Sequence, residues 1–156
     1  TGNGVHMFVL DTSVGAFIRV CEFLSIPRSG SVYSVNEANL DSFPGGYRQF
    51  LAGCRDQGYS SRYAGAMVAD VHRILTKGGV FMYPPTAKAP EGKLRLMYEA
   101  NPMAFIVEQA GGAASTGQGR ILDVVPETLH QRVPVIIGSP CEVDALVDAL
   151  RSPGAG

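Results

Sequence analysis

Apolar residues recur along this chain with two periods, and the changes from one period to the other mark its elements. Val5-His6-Met7-Phe8-Val9-Leu10 and Ala16-Phe17-Ile18-Arg19-Val20 are β-rich runs around Asp11-Thr12-Ser13-Val14-Gly15, a stretch that ends in glycine. That order predicts an antiparallel hairpin with a longer loop. A short strand near 31–34 follows, and a helix beginning near Pro44 carries Tyr47, Phe50 and Leu51 on one face. A second helix is expected over 65–77, where Met67, Val71, Ile74 and Leu75 stand at helical spacing and Gly78-Gly79 supplies the stop. Val80-Phe81-Met82-Tyr83 reads as a strand directly after it.

Pro84, Pro85 and Pro90 force an irregular loop, after which 94–110 has a helical pattern stopped by Gly111-Gly112. Pro102 lies inside that pattern. It removes the hydrogen bond that its own N–H would give to the Tyr98 carbonyl, so the helix is expected to bend or restart near Tyr98-Glu99-Ala100-Asn101. Strands are expected over 113–115 and 133–137, and a helix over 140–150. Ser139 and Glu142 have the spacing of a capping box, with Pro140 at the first helical position. The alternation predicts an α/β fold, a layered α/β sandwich with a mixed sheet whose first strands are antiparallel and whose later ones are joined through helices.

The chain has 156 residues, enough for one domain with its own core. Hydrophobic residues make up 46% and charged residues 17%, which excludes disorder driven by charge. A net charge of −1 and the lack of a basic run give no footprint for nucleic acid or an anionic membrane, so any anion must be held locally. The longest apolar run, 134–138, is far short of the roughly 20 residues that span a bilayer, and a soluble, cytoplasmic protein is expected. Ten of the thirteen basic residues are Arg, a bias that suits phosphate or carboxylate recognition but also follows from genome base composition. Cys21, Cys54 and Cys141 are widely spaced and in no CxxC arrangement, so free thiols are expected. The chain starts at Thr1 and has its first Met at position 7, in what reads as mid-strand, as a fragment or processed product would.

Dinucleotide, Walker, nucleophile-elbow and zinc-protease motifs are all absent, and His6, His72 and His130 are isolated. What remains is a scatter of phosphate-friendly groups at element ends. Arg62-Tyr63 precedes the second helix, where free N–H groups and the dipole favour an anion. Asn36-Glu37 and Asn39 follow a strand end, and Tyr83 closes a strand at its carboxyl end, where α/β ligands bind. Lys93 and Glu99 bracket the first turns before the Pro102 break, where a carboxylate can meet a hard cation that also takes substrate phosphate oxygens. Each of these residues is equally at home as an ordinary turn, rim or solvated-face residue.

GVHMFVLDTSVGAFIRV, VYSVNEANLDSFPGG, SRYAGAMVADVHRILTKGGVFMYP, GKLRLMYEANPMAFIVEQAGGAASTG and ILDVVPETLHQRVPVIIGS carry a resemblance that runs over nearly the whole chain. In these stretches the sequence resembles the C-terminal half of class I fructose-1,6-bisphosphatases of the bacterial type. The resemblance implies the sugar-phosphatase fold shared with inositol monophosphatase-like proteins. Residues 1–151 would form the C-terminal domain and 152–156 a flexible tail, while the N-terminal domain, with most metal ligands and the AMP site, lies outside this chain. It implies hydrolysis of the 1-phosphate of fructose 1,6-bisphosphate by water activated by Mg²⁺, with Mn²⁺ as a substitute.

In site terms it implies that Asn36, Tyr63 and Tyr83 bind the sugar 6-phosphate and that Arg62 reaches the same phosphate in a neighbouring subunit of a dimer or tetramer. Lys93 would contact the sugar and phosphate region, Gly65-Ala66-Met67 would lie against the furanose, and Glu99 would be a metal ligand. Asn39 stands where some members place a further phosphate-binding Tyr. With one metal ligand in the chain, the fragment alone is expected to be inactive. A sedoheptulose 1,7-bisphosphatase or dual-specificity enzyme, and a non-catalytic sugar-phosphate-binding or assembly module, are the alternatives.

Overall fold

The computed structural model describes residues 2–152. The chain opens with the expected hairpin: β1 (Met7–Asp11) pairs antiparallel with β2 (Ala16–Cys21), and Asp11 accepts from the Ser13 N–H and hydroxyl inside the turn. This hairpin forms a two-stranded sheet of its own. Then come β3 (Val32–Ser34), α1 (Gly45–Asp56), β4 (Ser60–Ser61), α2 (Met67–Lys77) and β5 (Val80–Tyr83). β6 (Leu94–Arg95), α3 (Asn101–Gln109), β7 (Ala113–Ser115), β8 (Arg132–Val133), β9 (Val135–Gly138) and α4 (Pro140–Arg151) complete the chain.

The main sheet has the order β4-β3-β5-β9-β7. β4, β3 and β5 are parallel, while β9 runs antiparallel to both β5 and β7, so the sheet is mixed. Its central strands are buried on both faces, which is why they read as continuous apolar runs rather than as alternation. Phe81 and Ile137 point into one core with Val71 and Ile74 of α2 and Val107 of α3. Val80, Met82 and Ile136 point into the other, with Tyr47 and Leu51 of α1 and Leu146 of α4. The result is a three-layer sandwich, with α2 and α3 on one face and α1 and α4 on the other.

Four local expectations need correction, each because a tertiary contact outweighs local preference. The second helix starts at Met67 rather than Gly65, which takes φ +75° in the loop before it. The 94–110 helix is divided: Leu94-Arg95 pairs with Arg132-Val133, the Leu96 N–H donates to the Gln131 carbonyl, and Leu96–Ala100 forms a π turn before α3 restarts at Asn101. The restart falls where Pro102 demands it. The 133–137 strand is split at Pro134, which has no N–H for a ladder, so β8 serves β6 while β9 serves the main sheet. The capping box does not form. The Ser139 hydroxyl accepts from the Gly79 N–H at 3.0 Å, and Glu142 accepts from the Gly30 N–H at 3.0 Å and the Tyr59 hydroxyl at 2.9 Å. Buried donors on neighbouring segments have claimed both side chains.

Within the stretch 152–156, only Ser152 lies among the described residues, and its hydroxyl donates to the Asp148 carbonyl. All three cysteines are free thiols.

The α1 and α4 layer carries an alkaline liability. Burial and the nearby Glu142 charge push the Cys54 thiol up to about 11. Burial, with a hydrogen bond to Glu142, pushes the Tyr59 phenol up to about 12, and burial alone raises Tyr47. In the unfolded chain a thiol and phenol titrate near 9.0 and 10.0. The unfolded state therefore loses these protons first, and the stabilisation they reflect is present in full below about pH 9 and drains away as pH rises through the folded values. The urea midpoint should hold from pH 7 to 8.5 and fall steeply by pH 10.5. A flat profile to pH 11 would contradict these assignments.

Candidate functional site

The site grows from the carboxyl end of β5. Tyr83 ends that strand, and Pro84-Pro85 turns the chain into a loop closed by paired hydrogen bonds between Thr86 and Ala89. The loop returns through Gly92, whose φ of +85° and close approach to the Val133 and Pro134 backbone leave no room for a Cβ. It delivers Lys93 beside the strand it left, with the ammonium 5.9 Å from the centre of the Tyr83 ring. Across this opening Asn36 caps the 3₁₀ turn Glu37–Ser42 by accepting from the Ala38 N–H at 3.2 Å, which leaves its amide donors for the cavity.

Asn36, Asn39, Tyr83, Lys88, Lys93 and Arg132 line a single cavity of about 570 Å³. Among the described residues Lys88, Lys93 and Arg132 have no carboxylate partner within 4.0 Å. Glu91 is the one carboxylate on the lining, so the cavity joins neutral donors to three cations and one acid, a net positive combination that suits an anion with several oxygens.

Tyr63 approaches from a second loop. Burial raises its phenol above the usual value, and contact with Tyr83 and the negative charge of Asp70 raise it further. The loop is held from behind: the Ala64 N–H donates to both Asp70 oxygens at 3.0 and 3.2 Å, and Arg73 donates to Asp70 at 2.8 Å and to the Arg62 carbonyl at 3.0 Å. Asp70 is fully buried. Arg62 itself is exposed, its guanidinium donates to the Ser61 carbonyl, and it does not line the cavity. Gly65 is exposed on the same loop, and Met67 opens α2 against the core that α2 and α3 share.

Glu99 stands apart from the cavity on the π turn after β6. Its carboxylate accepts from the Arg95 N–H at 2.6 Å and pairs with the Arg95 guanidinium at 3.3 Å. It offers one hard oxygen ligand. No group of three His, Cys, Asp or Glu that could hold a metal occurs among the described residues. Glu99 alone is therefore a single carboxylate donor, and a cation there would need further ligands.

Of the residues expected from sequence, the fold brings together Asn36, Tyr83 and Lys93 on the cavity, and Arg62, Tyr63, Gly65, Met67 and Glu99 do not line it. Lys88 and Arg132 were not anticipated. Lys88 carried a usable signal, as a cation in a proline-rich loop just past a strand's carboxyl end. Arg132 carried none, because only the pairing of β8 with β6 brings it there.

Residues 26–151 match the family model described as fructose-1-6-bisphosphatase, C-terminal domain. The chain is 58% identical over 144 residues to the class 1 fructose-1,6-bisphosphatase of Synechococcus elongatus, covering 92% of this chain and 42% of that protein. The corresponding protein of Thermosynechococcus vestitus is 58% identical over 149 residues, covering 95% of this chain and 42% of its own length. The crystal structure of Leishmania major fructose-1,6-bisphosphatase in holo form superposes with a TM-score of 0.93 at 46% identity, over 97% of this chain and 47% of that one. The chain thus spans less than half the length of these relatives. Agreement in fold, identity and extent of match puts its membership beyond a shared architecture: the chain belongs to the family of fructose-1,6-bisphosphatase C-terminal domains.

Proposed function

We propose that this chain is the sugar-binding half of a fructose-1,6-bisphosphatase, and that its cavity holds the 6-phosphate of the substrate. The observation that carries this reading is the convergence of Asn36, Tyr83 and Lys93 on one cavity. The Asn amide and the phenols donate to phosphate oxygens, and the Lys93 ammonium supplies charge with the Tyr83 ring beneath it. Anchoring the 6-phosphate there orients the sugar so that its 1-phosphate lies toward Glu99, with Gly65 and Met67 flanking the furanose. Glu99 contributes one ligand to Mg²⁺ or Mn²⁺, and Arg95 holds its carboxylate in place. Such a metal, held in part by Glu99, would supply an activated water and charge stabilisation for hydrolysis of the 1-phosphate ester to fructose 6-phosphate and phosphate.

The remaining ligands come from an N-terminal half outside this chain. The hairpin supports that division: Phe8, Leu10, Phe17, Ile18 and Val20 are exposed, and it lies outside the family-matched segment 26–151. The exposed guanidinium of Arg62, which does not line its own cavity, supports a homo-oligomer in which it serves a neighbour's phosphate. No helix of the described residues is long and apolar enough to cross a membrane.

Calorimetry and a phosphate-release assay test the proposal together. The 156-residue chain should bind fructose 6-phosphate, bind it more weakly but still measurably in Lys93→Met, and release no phosphate from fructose 1,6-bisphosphate in the presence of Mg²⁺. Joined to the N-terminal half of a relative, it should turn over. Hydrolysis by the isolated chain at the rate of a whole enzyme would overturn the division of labour, and turnover of sedoheptulose 1,7-bisphosphate in preference to the fructose ester would reassign the substrate.

A further inference from the structure

The short ladder between β6 and β8 sits between the two ends of the proposed site. On one side it carries Lys93, which lines the cavity, and on the other Arg95, which holds Glu99. The register places Arg95 directly opposite Arg132 and Leu94 opposite Val133. Two arginines facing each other across an antiparallel pair repel, so this register needs a compensating role for each. Arg95 has its carboxylate. Arg132 has no carboxylate partner among the described residues; its guanidinium donates instead to the backbone carbonyl of Lys93. On either side of that contact, the Leu96 N–H donates to the Gln131 carbonyl at 2.8 Å, and Gly92 is wedged against Val133 and Pro134. Among the described residues Lys93 has no other side-chain bond to its backbone.

We propose that Arg132 is a positioning residue that sets Lys93 over Tyr83, and so tunes phosphate-ester binding without being a ligand-contacting group itself. The inference rests on the reading of the cavity as a sugar-phosphate site. Its physical basis is that Lys93 follows a loop of nine residues after Tyr83 and enters a ladder only two residues long, which cannot by itself hold a flexible ammonium in register. A charge-assisted hydrogen bond to the carbonyl of that very residue removes the slack. Arg132 also adds positive potential at the cavity wall, but its N–H toward Lys93 is already committed.

The test is fructose 6-phosphate titration of the chain and its variants by calorimetry, with amide exchange of residues 93–96 and thermal melting as companion readouts. Arg132→Ala should weaken binding by about tenfold, the scale of one lost charge-assisted hydrogen bond. Exchange at Arg95 and Leu96 should quicken while the melting temperature stays close to wild type. Arg132→Lys, which keeps one donor for the carbonyl, should recover most of the affinity. In a Lys93→Met background, the Arg132→Ala effect should shrink to less than about twofold, because the group it positions is gone. A full tenfold loss persisting in that background would mean that Arg132 meets the ligand directly, and unchanged affinity in Arg132→Ala beside a wild type that binds would also overturn the inference. A wild-type chain with no measurable binding would overturn the cavity reading first, and this inference with it.

Discussion

Gly79→Ala should lower the melting temperature by about 8–16 °C, the largest stability effect expected of a single methyl group in this domain. Gly79 has φ +108°, a conformation that L side chains rarely adopt, and a Cβ built there would lie 2.0 Å from the Val32 carbonyl oxygen. Neither partner can yield. Val32 begins β3, whose pairing with β5 starts at Tyr33 and Val80, so relief would require separating two central strands of the main sheet. Gly79 also gives its N–H to the Ser139 hydroxyl and its carbonyl to the Ser139 N–H, fixing the start of α4 at the same point. Strained backbone, steric overlap and a broken buried network together cost about 4 kcal/mol, and a domain of this size loses about 2–4 °C per kcal/mol. Gly53→Ala is the matched control. It lies inside α1 with nothing within 4 Å of the added carbon, and should gain about 0.5–1 kcal/mol from helix propensity. Melting of the two variants within a few degrees of each other would contradict this account.

Asp70→Ala should also be severe, costing about 2–3 kcal/mol, the scale for losing hydrogen bonds to a buried charged group whose partner Arg73 is itself partly exposed. Asp70 is fully buried and takes the Ala64 N–H on both oxygens and the Arg73 guanidinium on one. Its loss leaves the Ala64 N–H without its acceptor and releases the loop that carries Arg62 and Tyr63. Asp70→Asn keeps an acceptor for Ala64 but not the charge opposite Arg73, so it should fall between wild type and Asp70→Ala. The two readouts are chemical denaturation and fructose 6-phosphate affinity, and both should decline in the same order. Wild-type stability in Asp70→Ala would refute the role of Asp70. Lost affinity without lost stability would mean that it acts in the site rather than beneath it.

The arrangement of the site explains why it is so dependent on such supports. The proposed phosphate contacts lie at the ends of β3 and β5 and in two loops, none of them long enough to hold itself. The α2 layer braces Tyr63 through Asp70 and Arg73, and the β6 and β8 ladder braces Lys93. Binding groups on loops gain precision only from the rigid elements behind them.

Much of the architecture was legible along the chain because it depends on local periodicity. The hairpin, α1, β5, α4 and the restart at the Pro102 break all appear where apolar spacing, glycines and prolines place them. The identities of Asn36, Tyr63, Tyr83, Lys93 and Glu99 as residues of interest came from element ends and from the family resemblance, since each alone suits an ordinary turn or surface position. The sequence by itself determined the elements, the mixed α/β class and the chemistry available to the chain. Only the tertiary structure decided that Leu94-Arg95 would be strand rather than helix, that Ser139 and Glu142 would leave the capping box for Gly79, Gly30 and Tyr59, and that Lys88 and Arg132 would share a cavity with Lys93. Each of those outcomes depends on partners tens of residues away, whose pull on a hydrogen-bonding group outweighs a local preference worth less than about 1 kcal/mol.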